Sequence, residues 1–272
     1  MTPSPGQTPD LAALLAPLRD DPGSSAVLCD VDGTLAPIVR RASDARVPGD
    51  TADLLGSLAG RYAMVACVSG RPASEVRELV GRDELAYIGN HGYERLLPGD
   101  SEPRAHPSLV GHEDAASRFL DDDAVRSELA VAELRPEDKG PIRALHWRGA
   151  SDERTAELRA RELAARVQAA GLVAHWGRKV LELRPPVEID KGSAVADLLR
   201  AESIAAALYG GDDRTDVDAF RGLRDLVEQG RLISSVAVGV RSEETPGELE
   251  SAADLLVDGP RGVRQLLSAL LG

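Results

Sequence analysis

The sequence predicts an α/β fold, a doubly wound and mostly parallel sheet wrapped by helices, with an inserted α+β cap unit. Three observations predict it. Short apolar runs alternate with amphipathic helical segments in the first hundred residues and again after Pro185-Pro186. Between about Arg104 and Pro185 the alternation gives way to polar helical stretches and short alternating strands. Acids, glycines and basic side chains gather just after the apolar runs, where open α/β sheets place their ligands.

The elements follow in order. After a Pro-rich start, Asp10 to Arg19 reads as a short helix capped by Asp10, and Ser25 to Val31 as a buried strand. Pro48 to Gly60 is a helix, Tyr62 to Val68 a strand, Pro72 to Val80 a helix with proline at its first position, and Leu85 to Ile88 a strand. Strand and helix in alternation call for a parallel sheet. The middle unit holds Pro141 to Arg148, a charged helix from Ser151 to Ala170, and two strands, Leu172 to Trp176 and Lys179 to Arg184. The first pattern then resumes: helix Lys191 to Glu202, strand Ala205 to Tyr209, helix Asp216 to Gln229, strand Ile233 to Val238, and a helix after Pro260. The expected organisation is a tail and short helix over 1–23, a core over 24–104 and 186–272, and a cap over 105–185.

Composition narrows the function. A formal net charge of −13 disfavours nucleic acid or an anionic membrane as partner, so an anionic ligand needs locally concentrated basic groups. With 3% aromatic residues the chain has few anchors for flat interfaces, and a monomer or weak oligomer is expected. The opening Met1 to Asp10 has no basic, then apolar, leader pattern, and no stretch reaches the ~18 apolar residues of a spanning helix, which points to a cytoplasmic protein. Cys29 and Cys67 each lie in an apolar run and read as buried thiols.

Four strand-end positions carry the chemistry. Asp30 and Asp32 follow the first strand, and on an extended segment residues i and i+2 point the same way, so both can face one substrate. Two neighbouring carboxylates repel unless a cation lies between them, and a hard, oxygen-seeking ion such as Mg²⁺ suits them. Ser69, Gly70 and Arg71 offer a hydroxyl, an open backbone and a guanidinium at a helix start, all donors to phosphate oxygens. Lys191, in the first turn of a helix, opposes the helix dipole, and an anion held there removes the conflict. Finally, Asp212, Asp213, Asp216 and Asp218 fall within seven residues after a buried strand and read as the remaining metal site.

At this point the chain resembles the haloacid dehalogenase superfamily, whose phosphatases carry DxDGT, a Ser or Thr after the second core strand, a Lys before a helix, and an acidic GDxxxD loop, all present in that order. Within it the chain is most similar to the trehalose-6-phosphate phosphatase family, on Asp30 to Ile38, Ser69 to Arg71, Gly89 to Glu94, Glu137 to Lys139 with His146 to Arg148, Gly177 to Pro185, and Gly211 to Phe220. Val217 stands where that family usually has Glu.

The resemblance implies a Rossmann-like core and a Mg²⁺-dependent hydrolysis of a small sugar phosphate, trehalose 6-phosphate. Asp30 is then the nucleophile that forms an aspartyl-phosphate, and Asp32 the acid and base, with a proton affinity raised by burial beside other carboxylates. Lys191, Ser69, Gly70 and Arg71 hold the phosphoryl group. Asp30, Asp32 through its backbone carbonyl, Asp212 and Asp213 surround the metal, with Asp213 and Asp216 in support. The cap serves as lid and chooses the sugar, through Arg178, Lys179 and Glu182 on one strand, with Lys139, His146, Asn90 and His91. Alternatives are a phosphatase for glucosylglycerate, mannosylglycerate or sucrose phosphate, a phosphomutase, and a sugar-phosphate-binding module without turnover.

Overall fold

The computed structural model describes residues 10–39, 44–177, 179–200, 203–242 and 245–272. In chain order the core begins with α1 (Leu11–Asp20), β1 (Ser25–Asp30), α2 (Gly49–Ala59), β2 (Met64–Val68), α3 (Ala73–Val80), β3 (Ala86–Gly89), β4 (Glu94–Leu96) and β5 (Arg104–Ala105). The middle region holds α4 (Ala115–Leu120), α5 (Asp123–Val131), β6 (Arg135–Lys139), β7 (Ile142–His146), α6 (Glu153–Ala169), β8 (Val173–Gly177) and β9 (Val180–Arg184). The core then resumes with α7 (Lys191–Arg200), β10 (Ala206–Gly211), α8 (Arg214–Glu228), β11 (Ser234–Arg241), α9 (Gly247–Ala252), β12 (Leu255–Asp258) and α10 (Gly259–Leu271).

The chain divides into two compact units, one of residues 1–104 with 189–272 and one of residues 105–188. The short α1 belongs to the first: Leu15 and Leu18 are buried in its core.

In the first unit eight strands form one sheet in the order β12-β11-β10-β1-β2-β3-β4-β5, with β12 through β3 parallel and β4 antiparallel to β3. Strand β1 is central, paired to β10 and β2, and every one of its residues is buried. A strand covered on both faces loses the polar alternation of a half-exposed one, which is why it reads SAVLCD. Val27 and Cys29 face a cluster with residues of α1, α2 and α10, whereas Ala26 and Leu28 face one with residues of α7 and α8. That period of two also fixes the direction of Asp30, which follows Leu28 toward the α7 and α8 side.

The second unit is a four-stranded antiparallel sheet in the order β6-β7-β9-β8. Leu145, Leu181 and Leu183 form one core with Ala156, Ala160, Leu163 and Val167 of α6. The edge strand β6, sequence RPEDK, is exposed over its first four residues. No described helix is long and apolar enough to cross a membrane.

Candidate active site

Asp30 ends β1 and is only 5% exposed. A carboxylate so placed needs a cation, and Lys191 supplies one: its Nζ donates to Asp30 Oδ1 at 2.7 Å and to Asp216 Oδ1 at 2.7 Å. Lys191 begins α7, where Asp190 caps the helix. Its carboxylate accepts from Ser193 N at 2.7 Å, and Ser193 Oγ accepts from Asp190 N at 3.0 Å. Burial alone would strip the proton from the 2% exposed Lys191, but Asp216, Asp30 and Asp213 outweigh it and keep the amine charged.

The acidic loop after β10 is organised around Asp216. Its Oδ1 accepts from Lys191 and, at 2.8 Å, from the Tyr209 hydroxyl, while Oδ2 accepts from the backbone N–H of Asp212 at 2.9 Å and of Asp213 at 3.0 Å. A carboxylate has about four lone-pair sites, and here four donors use them. Asp216 is therefore a strut that orients Lys191 and the loop. Asp213 caps α8, its Oδ1 accepting from Thr215 N at 2.8 Å, Thr215 Oγ1 at 2.7 Å and Asp216 N at 3.2 Å. Burial would raise its proton affinity, but Lys191 and the Thr215 hydrogen bonds hold it low.

Asp212 faces Asp30. Carboxylate oxygens of Asp30, Asp212 and Asp216 lie within 4.8 Å of one another, and all three residues are buried. Burial pushes the Asp30 carboxyl well above its ordinary range against the pull of Lys191. Burial, then Asp216 and Asp213, push Asp212 up to about 7. One buried ammonium faces three buried carboxylates, an excess of negative charge that a divalent cation would neutralise with oxygen donors of the right hardness. With Asp216 spent on its four donors, Asp30 and Asp212 are the side chains left to hold it. Gly33 opens the space: its φ is +89°, and a Cβ there would lie 2.1 Å from Asp212 Oδ2.

Asp32 departs from the sequence reading. The expectation placed it beside Asp30 on an extended segment and buried among carboxylates, yet β1 ends at Asp30 and the chain turns at once. Leu35 N and Ala36 N both donate to Val31 O, and Gly33 N to Ala36 O. The period of two no longer applies, and the Asp32 side chain, 38% exposed, faces Arg71. Arg71 Nε donates to Asp32 Oδ2 at 2.6 Å, Nη2 to Oδ1 at 2.8 Å, and Nη1 to Glu75. These hydrogen bonds, chiefly the one to Asp32, raise the guanidinium's proton affinity further. Arg71, expected as a phosphate ligand, thus holds the second aspartate, and Glu75 holds Arg71.

The remaining core residues form one knot around that loop. Ser69 is buried and its Oγ accepts from Arg71 N at 3.2 Å. Asn90 N donates to Arg71 O at 2.8 Å and His91 N to Ser69 O at 2.9 Å, with both residues in the left-handed region at φ 50° and 57°. Such conformations cost of order 1 kcal/mol or more each and persist only when the surroundings impose them. A Cβ at Gly70 would lie 2.6 Å from the His91 ring, so glycine lets that ring close on the loop. Glu94 Oε1 accepts from Ala73 N at 2.7 Å, at the start of α3.

In the second unit, Lys139 Nζ donates to Glu182 Oε1 at 3.1 Å, and His146 Nε2 pairs with Glu137 Oε2 at 2.6 Å. The His146 contact is the main reason Glu137 is held low. Lys179 reaches away from this cluster to Glu153 on α6. Arg178, expected beside Glu182, lies outside the described residues. Sequence reasoning missed Tyr209, Thr34 and Glu75. Tyr209 carries a readable signal, a hydroxyl in a fully apolar strand directly ahead of an acidic loop. Thr34 Oγ1 donates to Asp212 Oδ1 at 3.4 Å, and Glu75 reads as an ordinary helix carboxylate.

A family model described as trehalose-phosphatase matches residues 28–260. The chain is 36% identical over 257 residues to an uncharacterized glycosyl hydrolase of Mycobacterium tuberculosis, covering 90% of this chain and 18% of that protein. It is 34% identical over 250 residues to the trehalose-phosphate phosphatase of Mycobacterium avium, covering 86% of this chain and 59% of that one. The chain thus spans a fifth or less of the first relative and under two thirds of the second. Its fold is similar to the C-terminal domain of the C. albicans trehalose-6-phosphate phosphatase, with a TM-score of 0.76, 20% identity and 97% of each chain covered.

Proposed function

From the premise that this chain belongs to the trehalose-phosphatase family, we propose that it hydrolyses trehalose 6-phosphate through an aspartyl-phosphate on Asp30, with Mg²⁺ as cofactor. The single observation that carries this reading is the buried Asp30 at the end of the central strand, tied to Lys191 and facing Asp212.

Asp30 attacks phosphorus in line and the sugar oxygen leaves, giving a phospho-aspartate that water then hydrolyses at phosphorus. Asp32, once it leaves the Arg71 fork that holds its carboxylate and has taken up a proton, gives that proton to the departing oxygen and later takes one from the water. Lys191, with Ser69 and the Gly70 backbone, stabilises the charge that spreads over the phosphoryl oxygens, a role that belongs to preorganised donors. Asp30, Asp212 and the Asp32 carbonyl would hold Mg²⁺, which when bound would supply charge neutralisation for the phosphoryl group. Glu182, Lys139 and His146 of the second unit recognise sugar hydroxyls, and Asn90 and His91 support the phosphate loop.

The direct test is phosphate release from trehalose 6-phosphate and from glucosylglycerate, mannosylglycerate and sucrose phosphates, each with Mg²⁺ or EDTA. Mg²⁺-dependent release confined to trehalose 6-phosphate is the expected result. Preference for another sugar phosphate overturns the substrate, and undiminished release in EDTA overturns the cofactor.

The metal site also predicts a pH effect. Asp212, at about 7 against an ordinary 3.8, holds a proton more tightly folded than unfolded. Its stabilising share in the metal-free protein is therefore full below the ordinary value and lost as pH rises through about 7. A cation must displace that proton, so Mg²⁺ affinity is expected to fall by up to about tenfold per pH unit below 7. The rise in melting temperature on adding Mg²⁺ should thus be larger at pH 8 than at pH 6. An equal or larger rise at pH 6 would remove Asp212 from the metal site.

A further inference from the structure

One cationic side chain of the second unit, Arg184, closes an ion triad with Glu182 and Lys139. Arg184 lies two residues beyond Glu182 on β9, and the two share a face of the sheet. Its Nε donates to Glu182 Oε2 at 3.0 Å and its Nη2 to the same oxygen at 2.6 Å. The other oxygen, Oε1, accepts from Lys139 at 3.1 Å. All three side chains are largely buried, at 7% for Glu182, 15% for Lys139 and 11% for Arg184.

The strand register explains how two cations reach one carboxylate. Glu137, Ala144, Glu182 and His175 stand in one cross-strand row over β6, β7, β9 and β8. Alanine at 144 leaves a low point between β6 and β9, over which the Lys139 stem reaches Glu182. The opposite face of the sheet packs Leu145, Leu181 and Leu183 on α6, so the ion triad is not part of that core.

We propose that Arg184 is a positioning residue for sugar recognition, fixing the Glu182 carboxylate from the Oε2 side so that Oε1 and the Lys139 ammonium present an acceptor and a donor at a set spacing. The proposal rests on the sugar-phosphate reading given above. A sugar hydroxyl both donates and accepts, and an acceptor beside a donor satisfies it in full. Such a site discriminates only if its carboxylate cannot swing, because a mobile one re-forms its bonds with water or with another sugar. The planar guanidinium meets that need with two donors on one oxygen. A lysine keeps the charge and loses the fork.

The test compares wild-type protein with Arg184→Gln, Arg184→Lys, Glu182→Gln and the Arg184→Gln/Glu182→Gln pair. Each is assayed on trehalose 6-phosphate and on p-nitrophenyl phosphate, which has no sugar, and each is melted. Arg184→Gln is expected to lower the kcat/KM ratio between the two substrates by about tenfold, mainly through KM, with Arg184→Lys recovering only part of it. The paired variant is expected to discriminate no worse than Glu182→Gln alone, the signature of one residue acting through the other. An unchanged ratio, or additive losses in the paired variant, overturns the proposal, as does a lowered melting temperature without a shift in KM. The underlying reading fails separately, in the wild type: if another sugar phosphate is preferred, the same cycle on that substrate decides Arg184. If wild-type protein cleaves only p-nitrophenyl phosphate, reading and proposal fall together.

Discussion

Asp30→Asn is expected to give a folded protein whose phosphate release is lower by at least about 10⁴-fold, since an amide cannot form the aspartyl-phosphate proposed for so slow a hydrolysis. The substitution separates chemistry from stability. Asn has the size of Asp, and its Oδ1 can still accept from Lys191 Nζ, so the 2.7 Å hydrogen bond has a successor. One of three clustered buried carboxylates is gone, and with it part of the repulsion and burial cost that push Asp30 and Asp212 up. The metal-free variant is therefore expected to melt at or above the wild-type temperature, with a smaller gain on adding Mg²⁺. Release within a hundredfold of wild type would remove Asp30 as nucleophile. A melting temperature lowered by many degrees would instead mean that its charge holds the site together.

The core was legible because its strands are buried on both faces and its helices are amphipathic. The runs over 25–31, 62–68 and 205–209 could only be interior strands, and each lies at or within two residues of β1, β2 and β10. Where an element's role leaves no apolar signature, the sequence is silent. Strand β6 is an exposed edge reading RPEDK, so neither alternation nor an apolar run marks it. β4, three residues long, and the short α9 and β12 near the sheet edge are equally faint. Each of these strands is placed by pairing with the strand next to it in sequence, β4 with β3, β6 with β7 and β12 with β11.

The candidate site shows the same division. Asp30, Lys191, Asp212 and Asp216 were readable because each directly follows a strand or opens a helix, and the fold then brings them together. The direction of Asp32 was not, because it depends on where β1 stops being extended, a fact set by backbone hydrogen bonds of Leu35 and Ala36 to Val31. Nor could spacing separate Asp216 from a metal ligand. What separates them is the four donors that fill its oxygens, two of them backbone N–H groups of its own loop and one the hydroxyl of Tyr209.

Lys191→Met tests the structural half of that arrangement. Methionine roughly fills the lysine's volume but removes the cation that faces Asp30 and Asp216, the one counter-ion either has among the described residues. Leaving a buried charge without its partner costs about 3–5 kcal/mol, and at roughly 2–4 °C per kcal/mol for a chain of this size the melting temperature is expected to drop by about 6–20 °C near pH 8. The sign of the pH dependence follows from the same charges. Both carboxyls are already pushed up by burial, with Lys191 pulling them back, so its removal lets them take protons more readily. The loss is therefore smaller at pH 5, where protonation relieves the bare charges, and grows as pH rises. Added Mg²⁺ is expected to offset part of it at Asp30, while Asp216 keeps three of its four donors, the Tyr209 hydroxyl and the backbone N–H groups of Asp212 and Asp213. Phosphate release should fall by about 10²–10³-fold even with metal present, the size of effect seen when one preorganised donor is removed from a transition-state charge. A variant that melts within two degrees of wild type at pH 8 would show that solvent or neighbouring dipoles, and not Lys191, compensate the buried carboxylates.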